Sequence, residues 1–220
     1  MIHTSSIRGM SREISRYVDS KVLGLQSGYL AGKASSRATM ARLRRLDTAG
    51  EASWMSVGEE IFAGLPGLSA GEDVERKEME SVRTALQLYA ILQQAKGVPV
   101  AVGGEGRVAG ASLAMACRVL VESNRGEWSS GVKRRLASIE AATDFQGVRQ
   151  GVRTLVRLIR TAKTTTPIQL DFGLLASDLF ELQFEETRGD VFMRWARDFF
   201  RFEPSVSTKS EEATETKESR

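Results

Sequence analysis

The chain predicts an all-α protein: a compact multi-helix bundle of about eight or nine helices, ending in a disordered tail. Three observations lead there. Apolar residues recur at three- and four-residue intervals along most of the 220 residues. Glycine and proline cluster between these periodic segments and rarely interrupt them. Strand-like patterning is confined to VPVAV at 98–102, too little for a sheet.

The elements follow in order. Ile14, Tyr17, Val18, Val22 and Leu25 set a first helix over 11–26, with Ser11 as its N-cap and a connection loosened by Gly28 and Gly32. A second helix starts near Ser35 or Ser36 and runs through ATMARLRRL until Gly50. Short helices around Trp54 and over 59–63 precede the breaker-rich GLPGLSAG at 64–71. Residues 72–95 form the longest periodic run, charged in its first half and apolar in its second, and Gly97 and Pro99 end it. A Gly-rich loop at 98–107 leads to helices at 108–122, 131–142, 145–163, 170–184 and 188–201. Breaks are expected at Gly126, near Asp144, at Thr164–Pro167 and at Gly189. The helical domain spans 1–203, as an N-terminal lobe over about 1–95 and a C-terminal lobe over about 108–203. Residues 204–220, rich in Ser, Thr and Glu without apolar periodicity, are expected to be a disordered acidic tail.

Composition narrows the function. No apolar run reaches the roughly 18 residues of a membrane span, and the N-terminus lacks a signal-peptide core, so a cytoplasmic location is expected. The lone Cys117 lies in an apolar stretch and reads as a core residue. With one cysteine and one histidine (His3), a transition-metal site and a Ser–His or Cys–His catalytic pair are both disfavoured, and no cofactor is expected. Gly104, Gly106 and Gly110 imitate a dinucleotide fingerprint, but only a dozen residues separate Gly110 from Glu122, too few for a crossover helix and a second strand. Asp171, Asp178, Glu181, Glu185, Glu186 and Asp190 fit amphipathic helices better than a carboxylate metal cluster, with Asp171 near a helix N-terminus. Asp171-Phe172-Gly173 lacks every other kinase signature.

Charge distribution is more informative. The chain carries a net +3, although acidic residues outnumber basic ones from Glu203 onward, so the body is more basic than the whole. Arg149, Arg153, Arg157 and Arg160 fall at about 0°, 40°, 80° and 20° around one helix, a narrow stripe beside the apolar arc of Val148, Val152, Leu155, Val156 and Ile159. No acidic residue lies between Asp144 and Asp171 to neutralise them. Lys33, Arg37 and Arg44 share a second stripe, with Arg45 about 80° from Arg37 and Arg42 off the stripe, suited to bridging a partner. Lys133, Arg134 and Arg135 form a third cluster; three consecutive residues cannot share one face, so at least one is expected in an internal or subunit salt bridge. Arginine forks match phosphates, and such stripes point to a nucleic-acid backbone.

Five segments in order then carry a resemblance: RATMARLRRL (37–46), VAGASLAMACRVL (108–120), GVKRRLASIEAA (131–142), GVRQGVRTLVRLIRTAKTTTPIQLDFGLLASDLFEL (147–182) and VFMRWARDFF (191–200). Together they resemble the CasB family, the small subunit of the type I-E CRISPR surveillance complex (Cascade), over roughly 11–202. The charged stretch at 72–80 and the acidic tail depart from the family pattern. The resemblance implies an all-α fold without catalytic activity, paired with a second copy beside the complex's backbone and large subunits. It also implies a basic face that holds nucleic acid when the target duplex opens. By motif position the nucleic-acid-binding candidates are Arg37, Arg44, Arg45, Arg134, Arg135, Arg149, Arg153, Arg157 and Arg160. The expected function is R-loop stabilisation through single-stranded target or displaced DNA, or through the guide RNA–DNA hybrid. Two alternatives stay open: a scaffold whose basic faces bind protein, and a helix-turn-helix regulator.

Overall fold

A computed structural model of the chain describes residues 3–46, 54–65, 67, 71–103, 111–165 and 167–200. The expected acidic tail and the Gly104–Gly110 loop lie outside the described residues. Among the described residues nine helices follow one another: α1 (Thr4–Leu30), α2 (Ala34–Arg44), α3 (Trp54–Phe62), α4 (Glu72–Gln93), α5 (Leu113–Ser123), α6 (Ser129–Glu140), α7 (Phe145–Thr161), α8 (Phe172–Glu181) and α9 (Glu185–Phe200). Two two-residue strands, β1 (Ala101–Val102) and β2 (Leu170–Asp171), pair in parallel, with Ala101 opposite Leu170.

The core grows around α8. This short helix is buried almost all round, and α1 and α4 pack along it. Phe172 and Tyr89 meet edge to face at 5.4 Å in this core. The N-terminus of α8 is capped twice. Asp171 accepts from the Leu174 N–H at 2.7 Å, and the buried Asp19 of α1 accepts from the Gly173 N–H at 3.1 Å. A side chain at 173 would bring its Cβ within 2.6 Å of the Ser15 carbonyl oxygen, so only glycine admits α1 here. The DFG triplet is thus a cap, a core ring and a close approach. α7 lies between α4 and α6, burying Val148, Val152, Leu155, Val156 and Ile159, the arc its sequence marks as apolar.

Several boundaries differ from expectation. α1 begins at Thr4 with His3 as N-cap, and Ser11 is buried mid-helix, where its hydroxyl donates to Glu181 Oε1 at 2.7 Å. Long-range packing therefore extends the helix past the first polar residue that resembles a cap. Gly28 does not loosen a connection. It lies inside α1, where a Cβ would fall 2.1 Å from Ser36 Oγ, and so lets α2 approach. Positive φ at Gly32 makes the turn. The two short helices expected near Trp54 are one helix, α3. Gly189 is internal to α9; the break falls instead between Glu181 and Glu185, where Thr187 donates to the Glu181 carbonyl at 2.7 Å.

Candidate nucleic-acid interface

α2 buries Met40 and Leu43, which leaves Arg37 and Arg44, seven residues apart, on one outward face. Both line a cleft of about 460 Å³ whose other walls are the last turn of α1 (Tyr29, Leu30) and the turn after α4 (Gln94, Lys96). That turn is rigidly held. Gln93, fully buried, donates from Nε2 to the Lys96 and Val98 carbonyls at 3.0 and 2.9 Å. The buried Gln26 of α1 accepts from the Val100 and Ala101 N–H groups through Oε1. Ala95 adopts φ +60, a left-handed conformation that a non-glycine residue keeps only when its surroundings enforce it. The ends of α1 and α4 carry the partial negative charge of helix C-termini, which stabilises cations placed there.

Burial, and then the positive charge of Arg160 on α7, pull the Lys96 ammonium below the ordinary lysine range. Along α7, burial and then the neighbouring Arg157 lower Arg153 in the same sense. Among the described residues, Arg37, Arg44, Lys96, Arg157 and Arg160 form no ion pair.

Not every sequence candidate joins them. Arg149 donates to Glu80 Oε2 of α4 at 2.8 Å, so the stripe is not free of acidic partners. The neutralising carboxylate comes from 69 positions away, beyond what a helix-local reading sees. Arg45 is exposed and outside the cleft lining, and Arg42 bridges to Glu60 of α3, as its off-stripe angle implies. Burial alone would raise Glu60, yet hydrogen bonds from Arg42 and Thr39 hold its carboxyl below the usual range. On α6, Arg134 and Arg135 are exposed and away from the cleft lining. Neither they nor Lys133 makes a salt bridge within the described residues of this chain: Arg135 donates to the Gly131 carbonyl at 3.0 Å and Lys133 sits over the Phe200 ring. The helix surface alone separates these three.

The acidic residues of α8 serve the core, whereas Glu185 and Glu186 of α9 are exposed. Asp178 accepts from Arg194 and, at 2.6 Å, from Trp195 Nε1, and Glu181 receives Ser11 and Arg194. Burial pushes Asp178 up to about 6 against the opposing pull of Arg194. Cys117 is fully buried, and burial raises its thiol to about 12, far from a reactive thiolate. No group of three His, Cys, Asp or Glu side chains among the described residues is placed to hold a metal. No helix among them is long and apolar enough to cross a membrane.

Helix order and the cation-lined surface define an all-α protein with an open basic face in place of an enclosed pocket. Residues 39–200 match the family described as CRISPR-associated protein Cse2, and the chain belongs to that family. Its fold is similar to the crystal structure of CasB from Thermobifida fusca, with a TM-score of 0.67 and 28% sequence identity, over 85% of this chain and 97% of that one. No curated protein sequence matches the chain. Family membership supports a small subunit of a CRISPR Cascade complex. Tyr29 and Arg37 precede the matched segment, so one wall of the cleft lies N-terminal to it.

Lys96 and Tyr29 are cleft residues that sequence reasoning missed. Lys96 stands alone in QAKG, without periodic company to mark it as part of a stripe. Its one signal is position: a cation just past a long helix, where the dipole favours it.

Proposed function

We propose that this chain is a non-catalytic Cascade small subunit that helps to keep a target duplex open. It does so by sequence-independent contact with the backbone of single-stranded target DNA or of the guide–target hybrid. The contacting cations are Arg37, Arg44 and Lys96 at the cleft, continuing through Arg160 and Arg157 on α7. The carrying observation is that Arg37, Arg44 and Lys96 line one cleft and form no ion pair among the described residues. Cations drawn together without carboxylate partners repel one another, and an arriving polyanion relieves that cost while releasing condensed counterions. Strand exchange in an R-loop is nearly balanced in base-pair energy, so a few backbone contacts tip it. Arg134 and Arg135 would serve a neighbouring subunit or a second strand, the complex's backbone and large subunits and a second copy of this chain being the expected partners.

The scaffold reading keeps one observation in its favour, the engagement of Arg42 and Arg149 in ion pairs between helices. A complex reconstituted with the Arg157→Ala/Arg160→Ala variant separates the two. Full assembly with reduced target-DNA retention supports the nucleic-acid reading. Loss of assembly supports the scaffold, and full assembly with unchanged retention refutes the assignment of α7.

A further inference from the structure

The cleft contains more than charge. It is lined by Tyr29, half-buried and packed against the core, and by the exposed Leu30. The ring is fixed in place, because the Tyr29 hydroxyl accepts from the Ala95 N–H at 3.3 Å. The Ala95 turn is itself held by Gln93. Arg37, Arg44 and Lys96 line the cleft too, and among the described residues no acidic side chain does. A volume of about 460 Å³ falls within the roughly 300–1,000 Å³ of small-ligand sites.

We propose that this cleft takes one unpaired nucleobase against the Tyr29 ring while the adjoining phosphates engage Arg37, Arg44 and Lys96, so that this face selects single strand over duplex. The proposal rests on the backbone reading above and adds a base-recognition step to it. An aromatic floor with a cationic rim is the arrangement that single-strand binders use, since every base offers a π-face irrespective of sequence. A base stacked within a duplex offers no free face, and turning it out costs unstacking and unpairing energy. A ring already held by Ala95 loses little freedom on binding.

The test compares two oligomers with the same backbone, about 12 nucleotides long and within the span of single-strand binding sites, one of thymidine and one abasic throughout. Fluorescence anisotropy with the full chain should show the thymidine oligomer binding about 5- to 150-fold more tightly. Tyr29→Ala should abolish that ratio, whereas Tyr29→Phe, which keeps the ring, should preserve it. Equal binding of the two oligomers by the unmodified chain overturns the base pocket while leaving backbone contact intact. A ratio that survives in Tyr29→Ala places the base elsewhere and also overturns it. Salt-insensitive binding of both oligomers removes the backbone reading and this proposal together. Should Tyr29→Ala fail to fold, Tyr29→Leu takes its place, keeping apolar bulk without a π-face: loss of the ratio supports the pocket and an unchanged ratio overturns it.

Discussion

Replacing Arg157 and Arg160 by alanine should flatten the salt dependence of single-strand binding by a calculable amount. Five of the proposed contacts, Arg37, Arg44, Lys96, Arg157 and Arg160, form no ion pair among the described residues. If each neutralises one phosphate, the log–log slope of affinity against salt is about −3.5, at about −0.7 per contact for single strands. Raising salt from about 50 to about 200 mM then weakens binding about 100-fold. Without Arg157 and Arg160 the slope becomes about −2, and the same change costs only about 20-fold. Anisotropy of a labelled thymidine oligomer at four salt concentrations measures both slopes. Thermal melting provides the fold control: surface substitutions that break no native contact stay within about 0.5 kcal/mol, so Tm should hold. An unchanged slope with an unchanged Tm would refute the claim that α7 faces phosphate.

Glu80→Gln should steepen that slope by up to about 0.7, because Glu80 Oε2 now holds Arg149 at 2.8 Å and Arg83 at 3.3 Å; an unaltered slope would mean that Arg149 faces no phosphate. Glu78 is buried in α4, its Oε1 makes no hydrogen bond among the described residues, and burial followed by Glu75 and Glu13 raises its carboxyl to about 7. Its folded pKa exceeds its unfolded one, so the native state binds the extra proton, and stability should fall as pH rises from about 4.5 through about 7. Glu78→Gln should remove that fall and gain up to about 3 kcal/mol at pH 8 in urea unfolding, at 1.36 kcal/mol per pKa unit; a loss of stability there would refute the sign. Gly173→Ala forces a Cβ within 2.6 Å of the Ser15 carbonyl and should cost about 3 kcal/mol or more by the same method. Asp178→Asn strands the buried end of Arg194 and should cost about 3 kcal/mol, with near-ultraviolet circular dichroism reporting the changed Trp195 environment.

What the sequence made legible was local periodicity. The α7 arcs, the core of α4 and the Asp171 cap follow from residues within a turn or two of one another, so spacing alone exposes them. What it hid depends on contacts across the fold. Ser11 looks like a cap until Glu181, 170 positions away, takes its hydroxyl, and Gly28 looks like a hinge until α2 closes on it. The charged first half of α4 reads as a solvated face, yet Glu78 is only 2% exposed. The candidate interface divides the same way. Each arginine stripe was visible as helical geometry, whereas the Glu80 pairing that removes Arg149 and the meeting of Lys96 with Arg37 and Arg44 at one cleft are tertiary facts.

The central claim is that one surface, running from α2 across the Lys96 turn to α7, touches nucleic acid. Ultraviolet cross-linking of a photoreactive single-stranded target in the assembled complex, with mass-spectrometric mapping of the attached peptides, tests it directly. Cross-links are predicted at Tyr29, in the 94–98 turn and along 153–160. Cross-links confined to α6 and α9, or none to this chain in a complex that retains its target, would contradict it.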